Sequence, residues 1–143
     1  MQIAHDDAER IAALLNSRNQ LTVLYTRERV LEAAEDYLVE RSGDGAIVGC
    51  VQVKRVQWYQ SEVLHLTVEA GQERKGHAKA LLLQAEELAA QRGARVLQCT
   101  IREGNAASQG LFLSHGFSLT CTFSNTMSGN NVAVYQKALV APR

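Results

Sequence analysis

The chain has 143 residues, 46% of them apolar and 21% charged, the balance of an ordinary globular protein that buries a core without disulfide staples. Lys plus Arg equals Asp plus Glu at 15 each, which excludes a global field for nucleic acid or an anionic membrane, so local patches must carry any ligand. Cys50, Cys99 and Cys121 are odd in number and form no CxxC pair, which excludes a disulfide framework or cysteine zinc site and reads as buried, reduced thiols. The opening MQIAHDDAERIAALL has acidic residues at once instead of a charged leader, and no apolar run reaches the length of a membrane span. The expectation is one cytoplasmic domain over residues 1–143, with no metal, nucleic acid or membrane among its partners and homodimer formation left open.

In chain order, a very short strand is expected around Ile3, followed by a helix capped by Asp6 or Asp7 and running to about Asn16, with Ala8, Ile11, Ala12, Leu14 and Leu15 at helical spacing. A short apolar piece, LTVLY, precedes Thr26, which reads as the N-cap of a second helix with Val30, Leu31 and Ala34 on its inner face. YLVER, the turn SGDG and AIVGCVQVKRVQ read as a hairpin, and Glu62 to Val68 is the next strand of an antiparallel meander. A helix from about Lys75 to Gln91 carries Ala78, Leu81, Leu82, Ala85, Leu88 and Ala89 on one stripe, with Gly93 just past its end. Arg95 to Arg102 follows as a strand. The strand, helix, strand order makes a crossover, so the Glu62 and Arg95 strands are expected to be parallel neighbours. Asn105 caps a short helix to about Ser114, Gly116 ends it, Phe117 to Phe123 begins a strand, and MSGNN turns into the last strand, VAVYQKAL.

The helix start after Val68 is built against its own dipole. Arg74, Lys75 and Lys79 crowd the positive end, at a cost of roughly 0.3 to 1 kcal/mol per charge if nothing answers them. A bound anion is the simplest answer, because free N–H groups at a helix N-terminus bind phosphate; a solvated basic turn is the alternative.

Two stretches then resemble the GNAT superfamily of acyl-CoA-dependent N-acetyltransferases. Glu73-Arg-Lys-Gly76-His-Ala78 is similar to that family's Gln/Arg-x-x-Gly-x-Gly/Ala turn, with Gly76 and Ala78 matching and Glu73 standing where Gln or Arg is usual. Asn105 to Phe117, NAASQGLFLSHGF, resembles its Asn-x-x-Ala-x-x-Leu-Tyr-x-x-x-Gly-Phe block, with Asn105, Leu111, Gly116 and Phe117 in register. The resemblance implies a mixed α/β (α+β) fold. Its central sheet would be mostly antiparallel, of six to seven strands with about four helices, and the family's parallel strands 4 and 5 would splay apart.

The activity it implies is transfer of an acetyl group from acetyl-CoA to a primary amine of a small-molecule or amino-acid-like acceptor, directly within a ternary complex. Acyl-CoA binding without turnover, or acetylation of a protein or peptide, are the alternatives. The implied cofactor contacts are the backbone of Leu66, Thr67 and Val68 for pantetheine or the thioester, and Glu73, Arg74, Lys75, Gly76, His77, Ala78 and Lys79 around the pyrophosphate, with Asn105 and Phe112 from the second block. An ammonium must lose a proton before it attacks, and the resemblance puts a base at Glu62. His65, three residues on, faces the other side of a regular strand and reads as a core histidine whose ring is satisfied. Phe112 stands where many relatives keep a tyrosine that protonates the departing thiolate; Ser108, Ser114, His115 and Tyr135 are the stand-ins, of which Tyr135 and Ser108 are carried forward. Gly110 inside its helix suggests close approach of cofactor or strand. Arg18, Tyr25, Trp58 and Tyr59 come from segments that border the acceptor in this family.

Overall fold

The computed structural model describes residues 3–18 and 24–139. In chain order the elements are α1 (His5–Arg18), α2 (Arg27–Glu32), a 3-10 turn (Ala34–Asp36), β1 (Tyr37–Arg41), β2 (Ile47–Gln57), β3 (Gln60–Val68), α3 (His77–Gln91), β4 (Val96–Arg102), α4 (Ala106–Ser114), β5 (Ser118–Ser124) and β6 (Asn131–Ala138). Six strands hydrogen-bond in the order β1-β2-β3-β4-β6-β5. The pairs β1–β2, β4–β6 and β5–β6 are antiparallel, and β3–β4 is parallel. This is the mixed, mostly antiparallel sheet that was expected, with β3 and β4 as the parallel neighbours. Their register covers Gln60↔Val96, Ser61↔Leu97 and Glu62↔Gln98 and stops there, so the ladder ends with most of β3 still to come.

Local chemistry explains where the boundaries differ. Ile3 is buried but forms no strand. Helix α1 starts at His5, with the Ala8 N–H bonded to the Ala4 carbonyl at 2.9 Å. Asp6 and Asp7 therefore lie inside the first turn rather than before it, where their carboxylates complement the dipole instead of capping. Of LTVLY, residues 21–23 lie outside the described residues. Thr26 caps α2 as expected, its hydroxyl accepting from the Arg29 N–H at 3.1 Å. Helix α3 begins at His77, two residues later than its pattern suggests, because Arg74 (φ 64°) and Gly76 (φ 85°) are left-handed. It ends at Gly93 (φ 85°), where the Ala94 N–H reaches back to the Ala89 carbonyl and the Gly93 N–H to Ala90, both at 3.0 Å, the paired bonds of a glycine-terminated helix.

The chain forms two compact units, Met1–Val53 with His65–Glu87, and Lys54–Leu64 with Leu88–Arg143. In the first, Ala8, Ile11, Leu14 and Leu15 of α1 join Val30, Tyr37, Ile47 and Cys50 in one buried cluster. The helical stripe predicted for α1 is thus the face it buries, and a side chain such as Leu14 contributes roughly 1.5–3 kcal/mol by leaving water. Gly49 lets β2 approach its neighbours closely: a Cβ there would sit 3.0 Å from Leu81 Cδ1 and 3.3 Å from the Thr67 carbonyl oxygen.

In the second unit, Leu97, Cys99 and Ile101 of β4 and Ala133, Val134 and Tyr135 of β6 are buried, and Phe112 meets Phe117 edge to face with ring centroids 5.0 Å apart. Cys50 and Cys99 are buried, and burial pushes both thiols up to about 12. Cys121 departs from the expectation. It is exposed, because every residue of β5, at the end of the sheet order, faces solvent.

Two outcomes follow from this packing. Gly49→Val should lose about 1–3 kcal/mol of stability through overpacking against Leu81 and the Thr67 carbonyl, read as a lower urea midpoint with an unchanged slope. A maleimide at pH 7.5 should label Cys121 alone in the native protein and all three cysteines after denaturation.

Candidate functional site

In the first unit, the segment after β3 is tied down from its start. The Glu69 N–H bonds the Val48 carbonyl at 2.8 Å, and the Glu69 carboxylate pairs with the Arg10 guanidinium at 2.9 Å. Arg10 also donates to the Ile47 carbonyl at 3.2 Å, so α1 and β2 together anchor the turn. The Gln72 N–H then returns to the Glu69 carbonyl at 3.0 Å. Gly71 (φ 89°), Arg74 (φ 64°) and Gly76 (φ 85°) are all left-handed, and alternation of left-handed with ordinary conformations turns successive N–H groups toward a common centre. Nothing lies within 4 Å of a Cβ built on Gly76, so its backbone angle is the reason for glycine.

Glu73, the unusual letter, folds its carboxylate back to accept from the Gly71 N–H at 3.2 Å. Lys75 donates to Gln72 Oε1 at 3.1 Å, and Arg74, Lys75 and Lys79 are exposed. Behind them, Glu40 of β1 takes the His77 Nδ1–H at 3.1 Å and the Gln84 amide at 3.0 Å. The His77 side chain is thereby used to seat α3, while its main chain stays in the first turn, whose N–H groups have no partner four residues back. Ala78 is half-buried one residue further on.

Strand β3 holds the second group of this unit. His65 has φ 57° in mid-strand, a conformation that costs a non-glycine residue of order 1–3 kcal/mol and persists only where surroundings impose it. Two contacts do so. The Thr67 hydroxyl donates to the His65 carbonyl at 3.0 Å, and His65 Nε2 shares a 2.8 Å hydrogen bond with the Tyr25 hydroxyl. The two rings meet edge to face at 5.0 Å. Tyr25 is fixed in turn by Asn16, whose amide donates to the Tyr25 carbonyl at 2.9 Å while its Oδ1 accepts the Tyr25 N–H at 2.7 Å. The Arg29 guanidinium sits 5.4 Å from the Tyr25 ring centre. Burial, then the Arg29 charge, holds the His65 pKa below its ordinary 6.5, and burial raises that of Tyr25. His65 is half-buried rather than enclosed. One ring nitrogen is satisfied as expected, but the ring is not enclosed in the core, and the left-handed backbone ends the regular alternation on which its face was inferred.

In the second unit, Glu62 Oε1 accepts from the Gln98 amide at 3.0 Å, and Gln98 Oε1 accepts from the Gln136 amide at 2.7 Å. Glu62 therefore closes a side-chain ladder across β3, β4 and β6 at the last residue of the parallel register. Asn105 caps α4, its Oδ1 accepting the Ser108 N–H at 3.3 Å. The four stand-ins for the missing tyrosine separate. Ser114 Oγ and His115 Nδ1–H both donate to the Leu111 carbonyl at 2.8 Å, so both are spent on the helix end. Ser108 is half-buried in the first turn of α4. Tyr135 is a buried ring whose hydroxyl has no hydrogen-bond partner among the described residues.

Phe112 is 4% exposed and packs on Phe117. A Cβ on Gly110 would meet nothing within 4 Å, so no strand comes close to it. Trp58 and Tyr59 form the two-residue turn before β3, the end opposite Leu66–Val68, and stack edge to face at 5.1 Å with Trp58 exposed. The Tyr59 carbonyl accepts from the Arg95 and Val96 N–H groups. Arg18 closes α1, and its side chain lies outside the described residues. Of the acceptor candidates, Tyr25 meets a titratable side chain, His65, which composition and period could not single out.

The depressed His65 pKa makes stability pH-dependent. Below about 6.5 the unfolded chain takes up this proton before the folded chain does, so stability should fall with acidification through the lower folded value. Urea midpoints at pH 7.5, 6 and 5 should decline less steeply in His65→Asn than in the wild type.

The model of the acetyltransferase (GNAT) family matches residues 4–117. No curated protein matches the chain in sequence. Among solved structures, yncA of Salmonella typhimurium, whose structure holds its cofactor acetyl-CoA, superposes with a TM-score of 0.84 at 20% identity over 100% of this chain and 96% of that one. Ard1 from Thermoplasma volcanium gives 0.83 at 18% identity over 98% and 96%. The ribosomal-protein-alanine N-acetyltransferase from Brucella melitensis gives 0.82 at 24% identity over 97% and 98%. The turn with its three left-handed residues, the capped α4 and the parallel pair that parts after Glu62 thus stand inside a matched region of 114 residues, and the chain belongs to the acetyltransferase (GNAT) family.

Proposed function

We propose that the chain is a cytoplasmic, acetyl-CoA-dependent N-acetyltransferase whose acceptor is the primary amine of a small, amino-acid-like molecule. The observation that carries the reading is the turn from Glu69 to Gly76, anchored at Arg10 and Val48 and left-handed at Gly71, Arg74 and Gly76. Such a turn, running into a helix start with exposed Arg74, Lys75 and Lys79, supplies both converging N–H donors and positive charge for a pyrophosphate. Glu73 supports it from within by accepting the Gly71 N–H, so its negative charge is partly used in the turn. The backbone of Leu66, Thr67 and Val68, past the end of the β3–β4 ladder, offers groups for the pantetheine arm and the thioester carbonyl. Asn105 and Phe112 are the residues of the second block that the resemblance implies as cofactor contacts.

In the reaction the acceptor nitrogen forms a bond to the thioester carbon and the carbon–sulfur bond breaks, with the electron pair leaving on sulfur. A thiolate leaves readily, so a proton donor assists rather than decides. Tyr135, with its buried ring and uncommitted hydroxyl, fits that role better than Ser114 or His115, which are spent on the α4 carbonyl. Proton removal from the incoming ammonium falls to a group on β3, of which Glu62 is the carboxylate candidate.

Calorimetry with acetyl-CoA should show binding that weakens with salt, and Arg74→Glu with Lys75→Glu should weaken it at least tenfold and flatten that salt dependence. Thiol release in the presence of primary amines should then report turnover. Binding without turnover on any amine or peptide N-terminus would favour an acyl-CoA-binding regulator, and absence of binding would end the reading. Tyr135→Phe should lower kcat about three- to thirtyfold with the acetyl-CoA affinity unchanged.

A further inference from the structure

His65 is built as a working group rather than as filling. Its backbone is left-handed in a strand, its carbonyl is held by the Thr67 hydroxyl, and its Nε2 is held by Tyr25. Tyr25 is itself clamped through both backbone groups by Asn16. A histidine kept only to fill space needs neither the strained backbone nor this three-residue support. The residue stands immediately before Leu66–Val68. Its other ring nitrogen, Nδ1, makes no hydrogen bond to another described residue. Glu62, by contrast, has one oxygen taken by Gln98.

We propose that His65 is the catalytic base of the acetyl transfer, its Nδ1, uncommitted among the described residues, taking the proton of the acceptor ammonium, and that Tyr25 is a positioning residue that accepts the Nε2–H and fixes the ring. The assignment rests on the acetyltransferase reading above. One N–H proton passes from the ammonium to Nδ1, and the freed lone pair forms the C–N bond at the thioester carbon. The C–S bond breaks, and the second surplus proton of the nitrogen ends on sulfur. The imidazolium then returns its proton to water. The groups bearing on the ring are Tyr25, bonded to it, and the cationic Arg29 of α2, with Tyr37 of β1 beyond Tyr25. Burial, then the Arg29 charge, lowers the pKa of the ring below its ordinary 6.5 and so favours the neutral form, the state that accepts a proton. Its conjugate acid is held by the Tyr25 oxygen.

The variant to use is His65→Asn, because asparagine tolerates the left-handed backbone and carries no base. Calorimetry with acetyl-CoA comes first: unchanged affinity in His65→Asn shows that fold and cofactor site survive, and loss of binding in the wild type too would condemn the acetyltransferase reading instead. With acetyl-CoA and the best amine of a panel, His65→Asn should lose at least a hundredfold in kcat at pH 7. Most of it should return toward pH 10, where the free amine needs no base. Tyr25→Phe should shift the acidic limb of the kcat/KM profile while changing acetyl-CoA affinity less than twofold. Long-range nitrogen–proton NMR supplies a test that needs no acceptor: between pH 7 and 8 the His65 ring should carry its proton on Nε2. A proton on Nδ1 would overturn the proposal, as would a His65→Asn profile within threefold of wild type or a loss carried by Glu62→Gln in its place.

Discussion

Strand β3 changes character after Glu62, and the proposed chemistry of this protein depends on that change. Up to Glu62 it is an ordinary parallel partner of β4, with Gln98 and Gln136 extending the ladder through their side chains. Beyond it the register with β4 stops and His65 turns left-handed. A backbone that leaves its ladder must satisfy its N–H and C=O groups elsewhere. On the proposed function, the cofactor is the partner for groups that β4 leaves free. The ladder at Glu62 marks where pairing with β4 ends and the second half of the strand begins.

The segments around that half are held by polar contacts as well as by apolar burial. Arg10 bonds both the start of β2 and Glu69, Glu40 bonds His77 and Gln84, and Asn16 bonds both backbone groups of Tyr25. Directional bonds fix a turn or a ring to within tenths of an ångström, whereas apolar burial fixes only that a surface be covered. Loops that must present N–H groups to a ligand benefit from the first kind of restraint. The apolar cluster of α1, α2 and β1 supplies the rigid base from which Arg10 and Asn16 reach out.

Departures from the family pattern become intelligible in the same terms. Glu73 looks unfavourable in a phosphate turn when only charge is considered. Its carboxylate instead stabilises the turn by accepting from Gly71. Phe112 lacks the hydroxyl, and its ring makes an edge-to-face contact with Phe117 in a buried site, the kind of contact worth about 0.5–1.5 kcal/mol.

What the sequence determined by itself was whatever local physics decides. The helical stripes of α1 and α3, the Thr26 and Asn105 caps, the Gly93 and Gly116 stops and the strand order all rest on periodicity and capping within a few residues. The two motif blocks identified the family because their spacing depends on that same local order. Tertiary structure alone decided the rest. No residue period announces that His65 is left-handed, that Tyr25, forty positions earlier, meets its ring, or that β5 lies at the sheet edge and exposes Cys121. These follow from which strand pairs with which and where a ladder ends, and such contacts are set by the packing of distant segments, a free energy that no local window contains.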